Sequence, residues 1–552
     1  MKRLSLADIS GITFDIVVVG GGITGASIAR DAAMRGLTVA LLEKDDFASG
    51  TSSRSTKLLH GGLRYLEQYE FKLVREACRE RELFLRLAPH LAEIRPFIYL
   101  LYRGYPESPL LLNLGLTIYD IFSGNPIQRH HHMLNAKRTL ELEPDLNPDQ
   151  LIGGGWYYDV LTNDARLTVE TTKSAGEAGA SIGNYLEVVG LVQESGKVHG
   201  VEVTDRLTGA QAVIRAKCVI NASGVWVDRV RALENGISDL RLRPTKGVHI
   251  VVRKSDFPLQ HAVFLRSPKD RRVVWPIPAL DGDLVYIGTT DTFYEGKPEE
   301  VTATQQDIDY LLEVANHTIP DAKLSYGHIV GTWAGLRPLF GAKPGVAASS
   351  VSREHEIFVS PGGLVNIAGG KLTTARVMAF QTVDAALRLY GDTFANRHPK
   401  PCTTDQKPLC GGDAEGISAA KQTLQSRHIP SAIAQRWLSH YGSNALRLAE
   451  TVSADPGALQ EMGSAAITPA EVRFAVENEM ARTVSDFFIR RATVFFWHHD
   501  GGLQSADGVA AEMAKLLGWS SAECTRQVQN YRQEVEHNRF TPVSATTIPV
   551  AK

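Results

Sequence analysis

The stretch from Phe14 to Lys44 constrains the fold of this chain more than any other. It begins with a continuous apolar run, Ile16 to Val19, which is typical of a strand buried on both faces of a parallel sheet. A helix with small residues along one side follows, and then a second apolar strand, Thr38 to Leu42, that ends in Glu43. Between the first strand and the helix stand three glycines with the spacing Gly-x-Gly-x-x-Gly: Gly20, Gly22 and Gly25.

This strand–turn–helix–strand order predicts a dinucleotide site. The first glycine permits a tight turn, the second lets the backbone approach a pyrophosphate, and the third lets helix and strand pack closely. Glu43 is placed to accept hydrogen bonds from ribose hydroxyls and disfavours a 2′-phosphate, so FAD or NAD(H) is expected rather than NADP(H). The cofactor-binding residues predicted in this unit are Gly20, Gly22, Ile23, Thr24, Gly25, Glu43 and Lys44.

Length and composition indicate a large multi-domain protein of ordinary character. The 552 residues are too many for one core, and the net charge of −2 gives no field that would attract nucleic acid. Five scattered cysteines favour a reducing compartment and lack metal-ligand spacing, so no metal site is expected. Because no spanning segment and no signal peptide are visible, a cytoplasmic location is expected, compatible with resting on a membrane.

Three later segments are expected to complete the cofactor site. The polar loop 47–65 offers hydroxyl and N–H groups to phosphates, although it could be a solvated linker. The strand that ends at Asn221 runs into a small-residue turn, and 357–379 repeats the strand, turn and helix order, with a helix starting near Lys371. The further cofactor residues predicted are Ser52, Ser53, Lys57, His60, Gly61, Gly62, Val188, Ala222, Gly224, Trp226, Gly370, Lys371, Leu372 and Thr373.

The rest of the chain divides into a β-rich block and a helical block. Residues 240–290 contain four apolar strands that do not belong to the dinucleotide unit, and 304–319 has helical periodicity. A Pro-rich linker, 398–408, precedes an almost wholly helical region, 419–536. Three consecutive histidines, His130 to His132, are expected in a surface loop.

Seven strings occur in one order and carry a family resemblance: GGGITGASIARDAAMRG, SSRSTKLLHGGLRYLE, INASGVWVD, TKGVHIVV, IGTTDT, GLRPL and IAGGKLTTAR. Over residues 10–540 the chain resembles FAD-dependent, membrane-associated glycerol-3-phosphate dehydrogenases. The strings around Lys57 to Tyr65 and Gly369 to Thr374 are the most specific of these. Related oxidases that use oxygen carry an inserted segment, and none is evident between Tyr294 and Trp333.

The resemblance implies an α/β fold in which a Rossmann-like FAD-binding domain is interleaved with a β-rich substrate cap domain, plus an all-helical C-terminal domain. It also implies oxidation of glycerol 3-phosphate to dihydroxyacetone phosphate, with electrons passed to a membrane quinone at the inner face of the cell membrane. A homodimer is compatible with it. The expected divisions are 10–66, 151–239 and 346–395 (FAD domain), 67–150 (helical part of the cap), 240–345 (β-rich cap), 396–408 (linker), 409–540 (C-terminal domain) and 541–552 (tail).

Substrate chemistry singles out cations beside the glycine-rich turns. A phosphate dianion is matched by the guanidinium forks of Arg64 and Arg337 and by the point charge of Lys371, although either arginine could instead form a structural ion pair. The family match adds Tyr65 to these substrate residues, and Thr290 and Asp291 are expected to line the site from the cap. Lys371 could also hold negative charge beside a reduced flavin.

Oxidation of a secondary alcohol requires a group that removes the hydroxyl proton. The catalytic candidates are His60 and His249, whereas Arg337 could stabilise a developing alkoxide. The sequence does not choose between them. A redox regulator without turnover and an amino-acid oxidase remain the alternatives, because an arginine can also clamp a carboxylate.

The electron acceptor is expected to be a lipid quinone, since the sequence shows no iron–sulfur or haem pattern. Contact with the bilayer is expected from one of two apolar stretches, 110–122 or 474–497. The second combines aromatic residues with arginines, as at a membrane interface. Each stretch could instead belong to the protein core. For 110–122, a place in the core is expected more often than contact with the membrane.

Overall fold

The apolar run near the N-terminus is the central strand of an eight-stranded sheet in the computed structural model. The strands of this sheet are β1 (Thr13–Val19), β2 (Val39–Leu42), β7 (Ser181–Gly183), β8 (Leu186–Glu194), β9 (Lys197–Asp205), β10 (Gln211–Asn221), β17 (His355–Val359) and β18 (Val365–Gly369). Their order is β17-β18-β10-β1-β2-β7, and β8 and β9 extend from β10 as antiparallel strands. β1 pairs in parallel with both β2 and β10, so the ends of three strands meet at one edge.

The structure describes residues 3–9, 11–124, 126–234, 239, 241–280, 283–341 and 354–539. The expected tail, 541–552, and part of the expected third FAD segment therefore lie outside the described residues. The helices on the eight-stranded sheet are α1 (Ile23–Met34), α5 (Asp164–Glu177), α6 (Val227–Arg231), α8 (Ala375–Leu389) and α9 (Gly391–Phe394). α8 begins later than the predicted Lys371 because Gly369 and Gly370 have φ of +78° and +83°, which bends the chain before the helix.

A second sheet, of ten strands, forms the cap. Its strands are β3 (Leu58–Leu59), β4 (Ala92–Tyr102), β5 (His132–Asn135), β6 (Leu151–Thr162), β11 (Thr245–Arg253), β12 (Ala262–Arg266), β13 (Val273–Pro278), β14 (Leu284–Gly288), β15 (Thr292–Phe293) and β16 (Ile329–Arg337). They run β15-β11-β14-β13-β12-β4-β6-β3, with β16 beside β11 and β5 beside β6. The cap helices are α2 (Phe71–Leu87), α3 (Pro109–Ser123), α4 (Ala136–Leu142) and α7 (Gln305–Thr318).

The cap takes more of the chain than the sequence indicated. β6 pairs with β4 along its length, so residues 151–162 belong to the cap sheet and not to the dinucleotide domain. Residues 67–150, expected to be helical, include β4 and β5. Three consecutive glycines, 153–155, interrupt the alternation of apolar and polar residues by which strand β6 would be recognised in the sequence. At Gly155 a side chain would lie 2.5 Å from Leu116 of α3, so the helix packs directly on the strand.

Alternation along β11 directs one histidine toward the site. Val248, Ile250 and Val252 pack with α7 in one core cluster. Val251, together with Tyr286 of β14 and Trp333 of β16, belongs to another cluster, shared with the C-terminal domain. Because side chains alternate along a strand, His249 points to this second side.

The C-terminal domain is helical, as predicted. Its helices are α10 (Ala414–Ser426), α11 (Ser431–Tyr441), α12 (Ala445–Ala454), α13 (Pro469–Glu479), α14 (Val484–Asp486), α15 (Val494–Trp497), α16 (Ala506–Leu517) and α17 (Ser521–Asn538). Buried ion pairs tie it to the dinucleotide domain: Arg166 to Glu479 at 2.7 Å and Arg491 to Asp46 at 2.7 Å.

The two stretches proposed for membrane contact have opposite surroundings. Phe487, Phe488 and Phe496 are buried, and Arg490 is ion-paired with Asp46, so the prediction for 474–497 is wrong. Arg490 and Arg491 both pair with the buried carboxylate of Asp46 instead of meeting lipid.

Helix α3, which covers the other stretch, was expected mainly in the core, but much of its apolar surface is exposed. Leu112 and Leu116 are buried against the cap, whereas four apolar side chains face solvent. Their exposed fractions are 79% for Leu110, 53% for Leu111, 56% for Leu114 and 70% for Ile121. Among the described residues, every helix is too short or too polar to cross a bilayer. At the end of α3, Asp120 bonds to His131 Nδ1 at 2.7 Å, a contact that the sequence did not indicate.

Candidate active site

Two adjoining cavities lie where the cap meets the dinucleotide domain. The dinucleotide cavity, about 330 Å³, is lined by the glycine-rich turn after β1 and by the turn after β10. The cationic cavity, about 380 Å³, is lined by the loop 51–68 and by cap strands β11 and β16. Both include Thr51, Pro338 and the segment Gly369 to Leu372, so this segment forms the wall between them.

The glycine-rich turn has the shape of a pyrophosphate cradle. Gly20 has φ of +110°, and a side chain there would lie 2.7 Å from the Ala222 carbonyl oxygen. At Gly25 a Cβ would lie 1.9 Å from the Gly20 carbonyl oxygen. These contacts let the turn, helix α1 and the Ala222 turn approach without side chains between them, so the residues present fit a dinucleotide.

Glu43 and Ser52 hold this turn in place. Glu43 accepts hydrogen bonds from Gly21 N at 2.6 Å and from Asp45 N at 2.9 Å. Burial raises the pKa of Glu43 to about 7, although the two backbone N–H groups favour the carboxylate. Ser52 Oγ accepts a hydrogen bond from Ile23 N at 3.0 Å, at the first residue of α1.

Most of the predicted cofactor residues line the dinucleotide cavity. They are Gly20, Gly22, Ile23, Thr24, Glu43, Lys44, Ser52, Val188, Ala222, Gly224, Trp226, Gly370, Lys371 and Leu372. His60 and Thr373 line the cationic cavity instead, where the Thr373 hydroxyl accepts a hydrogen bond from His60 N at 3.1 Å. The sequence missed Ser49, Gly50, Thr51, Glu187 and Arg229; the hydroxyl-rich loop 47–56 was the available signal for the first three.

Within the described residues, five predicted cofactor residues lie outside the lining of both cavities, each for a structural reason. Gly25 packs α1 on the turn. Lys57 Nζ pairs with Asp164 at 2.6 Å and donates a hydrogen bond to the Ser53 carbonyl oxygen at 3.0 Å. Gly61 N donates to Tyr119 Oη at 2.7 Å, and Gly62, with φ of +80°, turns the chain toward Arg64.

The cationic cavity is strongly positive. Seven cationic side chains line it, against three acids, Glu67, Asp270 and Asp291. The cations are Arg54, Arg64, Arg266, Arg271, Arg272, Arg337 and Lys371. Arg266, Arg271 and Arg272 were missed; the run Lys-Asp-Arg-Arg at 269–272 was a signal, but only the β12–β13 pairing brings it here.

Arg337 is fixed by the cap turn after β14. Its guanidinium donates to Asp291 Oδ1 at 3.1 Å and to Thr289 Oγ1 at 3.1 Å. Both terminal nitrogens also reach the Thr290 carbonyl oxygen, at 3.4 and 3.3 Å. Asp291 therefore lines the cavity as expected. The predicted Thr290 does not line it, and Thr289 does so instead. Thr290 is buried and positions Arg337 through its carbonyl oxygen.

Arg64, Tyr65 and Lys371 form a second group of the cavity wall. Arg64 Nη2 donates to Tyr65 Oη at 2.9 Å, and Lys371 Nζ lies 3.7 Å from the centre of the Tyr65 ring. The two cations approach each other around one aromatic ring, although they come from segments far apart in sequence. This concentration of charge is suited to an anion.

Both candidate histidines are electrically neutral near pH 7. Burial, reinforced by the charges of Lys371 and Arg64, lowers the pKa of His60 to about 3. Burial and Arg337 lower the pKa of His249 well below its usual range. His249 Nε2 lies 3.2 Å from Thr56 Oγ1, its ring stacks on Trp333 at 4.7 Å, and its Nδ1 has no hydrogen-bond partner among the described residues.

Comparisons with known proteins agree with this geometry. The family model for FAD dependent oxidoreductases matches residues 15–384, and the model for the C-terminal domain of alpha-glycerophosphate oxidase matches 402–524. The chain is 39% identical over 546 residues to an aerobic glycerol-3-phosphate dehydrogenase of Staphylococcus saprophyticus, covering 97% of each chain. It is 37% identical over 548 residues to that of Bacillus subtilis, covering 98% of this chain and 97% of the relative.

Solved structures agree as well. The glycerol-3-phosphate dehydrogenase of Bacillus halodurans complexed with FAD is 34% identical, has a TM-score of 0.80 and covers 98% of both chains. An L-alpha-glycerophosphate oxidase of Mycoplasma pneumoniae with FAD bound, at 20% identity and a TM-score of 0.55, covers 68% of this chain and 95% of its own and shows the fold alone. These matches confirm the predicted fold class and FAD as the cofactor. The chain thus belongs to the aerobic glycerol-3-phosphate dehydrogenase family of FAD-dependent oxidoreductases.

Proposed function

We propose that this protein oxidises sn-glycerol 3-phosphate to dihydroxyacetone phosphate and passes the electrons to a membrane quinone, in glycerol catabolism and respiration. The observation that carries the proposal is the cationic cavity, which shares a wall with the dinucleotide cavity. A small phosphate ester held there would present its alcohol carbon to the cofactor. The names of the relatives support the same substrate.

Arg64 and Lys371 hold the substrate phosphate in this proposal. They lie around Tyr65, beside the turn at Gly62, where a phosphate can accept hydrogen bonds from both. The other cations of the cavity strengthen the attraction for a dianion. An amino acid, with one carboxylate and one ammonium, would match this excess of positive charge poorly.

His249 removes the hydroxyl proton, and Arg337 stabilises the developing negative charge on the same oxygen. Thr56 orients the His249 ring, and burial keeps the imidazole neutral, so it has a lone pair to accept a proton. Asp291 and Thr289 hold Arg337 beside it. His60 lies with the phosphate-binding cations instead. When bound, FAD would supply the acceptor for the hydride of the alcohol carbon.

Anaerobic mixing tests the substrate. Glycerol 3-phosphate should bleach the yellow flavin of the purified holoenzyme, whereas glycerol and amino acids should not. Arg64→Ala should raise the KM for glycerol 3-phosphate at least tenfold because a charge-assisted hydrogen bond is worth about 1.5–3 kcal/mol. Arg138→Ala, at an exposed pair with Glu141, is the control. Bleaching by an amino acid alone would contradict the proposal.

A glycerol-3-phosphate oxidase is the second candidate, because the matched C-terminal model is named for an oxidase. The two activities differ in the acceptor. After reduction by glycerol 3-phosphate, the dehydrogenase should be reoxidised rapidly by a short-chain quinone and slowly by oxygen. Rapid formation of hydrogen peroxide in air would favour the oxidase.

We propose that the exposed face of α3 rests on the bilayer that contains the quinone. Leu110, Leu111, Leu114 and Ile121 form an exposed apolar face that could enter the acyl boundary. The helix packs on α2 and on the turn Leu63–Gln68, which carries Arg64 and Tyr65, so the membrane would lie near the substrate cavity.

Flotation with anionic liposomes tests this contact. Leu114→Asp should shift the protein from the lipid fraction to the soluble fraction, because a charge is costly in the acyl region. Leu207→Asp, at an exposed leucine in another part of the surface, should float like the original protein. Equal flotation of all three proteins would exclude α3 as the contact.

A further inference from the structure

A third cavity, of about 590 Å³, lies between the cap and the C-terminal domain, apart from the two cavities already described. We call it the interface cavity. Its lining comes from the ends of β4, β6 and β14 in the cap and from α11 and α15 in the C-terminal domain. It has aromatic walls, Tyr286 and Trp497, and it opens at the protein surface beside Ala432 and Gln435 of α11, both of which are exposed.

Polar groups that lack partners line this cavity. Tyr286 and Thr162 are each 1% exposed, and neither hydroxyl has a hydrogen-bond partner among the described residues. The two ring nitrogens of His90 are also buried without a partner there. An unpaired buried polar group costs free energy, so three of them around one cavity indicate a ligand that supplies acceptors.

Stacked rings connect this cavity to the substrate cavity. His249, which lines the cationic cavity, stacks on Trp333 with their ring centres 4.7 Å apart. Trp333 in turn lies 5.6 Å from Tyr286 and 5.7 Å from Trp497, the aromatic walls of the interface cavity. One buried indole therefore separates the two cavities.

We propose that the interface cavity binds the ring of the quinone that accepts the electrons. A quinone is planar, neutral and apolar on its faces, and it carries two carbonyl acceptors at opposite ends. It would stack on the aromatic walls and accept hydrogen bonds from the hydroxyls of Tyr286 and Thr162. Burial lowers the pKa of His90 to about 3, so this neutral ring can donate one further N–H.

This inference rests on the proposed function, because it gives a site to the acceptor named there. In the reaction the quinone gains the two electrons released by the oxidised alcohol and two protons from solvent, and it leaves as the quinol. The opening beside α11 gives the ring and the protons a way in.

The first test is a plug at the opening. The oxidised holoenzyme is titrated with decylubiquinone by calorimetry, and reduction of decylubiquinone is compared with reduction of a water-soluble dye. Ala432→Trp, at an exposed lining residue, should lower quinone affinity at least tenfold and leave the dye-linked activity unchanged. Ser431→Trp, exposed on the same helix outside the lining, should bind quinone normally.

The second test removes the hydroxyls. Tyr286→Phe and Thr162→Val should each weaken decylubiquinone binding about two- to tenfold, the value of one hydrogen bond. Tyr441→Phe is the matched control, since it also deletes a buried hydroxyl without a partner but lies outside the cavity lining.

The outcomes distinguish a failure of this site from a failure of the proposed acceptor. Quinone binding that is equal in the original protein, Ala432→Trp and Tyr286→Phe would overturn this site while the proposed acceptor stands. An original protein that neither binds nor reduces decylubiquinone would overturn the proposed acceptor itself. Loss of quinone binding in Ala432→Trp with normal binding in Ser431→Trp would support the site.

Discussion

The buried carboxyl group of Glu43 should make FAD binding depend on pH. In the protein without ligand, burial raises the pKa of Glu43 to about 7. Ribose hydroxyls donate hydrogen bonds, so FAD should bind the ionised carboxylate in preference to the protonated acid. Each carboxylate oxygen already accepts one backbone N–H and has a further lone pair for a ribose hydroxyl.

The size of the effect follows from the pKa. With a pKa near 7, the ionised fraction of Glu43 falls from about nine-tenths at pH 8 to about one-tenth at pH 6. FAD affinity should therefore fall about tenfold over this interval. Glu43→Gln should bind about ten- to hundredfold more weakly at pH 8, because charge-assisted hydrogen bonds are worth about 1.5–3 kcal/mol, and its affinity should not change with pH.

The assay is the quenching of FAD fluorescence when apoprotein is titrated at pH 6, 7 and 8. Ser52→Ala is a useful comparison, since it changes the same cavity without removing a titrating group. An affinity that is constant from pH 6 to pH 8 in the original protein would refute the reasoning. So would an unchanged pH dependence in Glu43→Gln.

Two further predictions concern the cap and the domain interface. Gly288→Ala should lower kcat at least tenfold with FAD still bound, because the new Cβ would lie 2.1 Å from His249. Gly327→Ala is the control in the same steady-state assay, because its new Cβ would have its nearest neighbour at 3.9 Å. Glu479→Gln should lower the free energy of unfolding by about 3–5 kcal/mol in urea titrations, because it leaves Arg166 partly uncompensated in a buried site. Ion pairing with Arg166 holds the pKa of Glu479 at about 2 despite burial. The contribution of Glu479 to stability should therefore persist above pH 4.5 and disappear as the pH falls toward 2. Glu479→Gln should lose this acid sensitivity. A variant as stable as the original protein at pH 7 would count against the pair.

The sequence by itself determined the dinucleotide unit. Its glycines, apolar strands and terminal acid act over a few neighbouring residues, and local periodicity reports such structure directly. The helix predicted over 304–319 was also recovered, as α7 (Gln305–Thr318), and the C-terminal region is helical as expected. These features depend on what each segment does with its own backbone.

The tertiary structure alone decided which faces meet. The aromatic stretch 474–497 and helix α3 are both rich in apolar residues, but packing against the cap buries the first and leaves one face of the second exposed. In the same way, strand pairing brings Arg272 and Arg337 to one cavity and carries Lys57 away from it to Asp164. Such contacts join residues far apart in the chain, and hydrophobic periodicity identifies a buried face without identifying its partner.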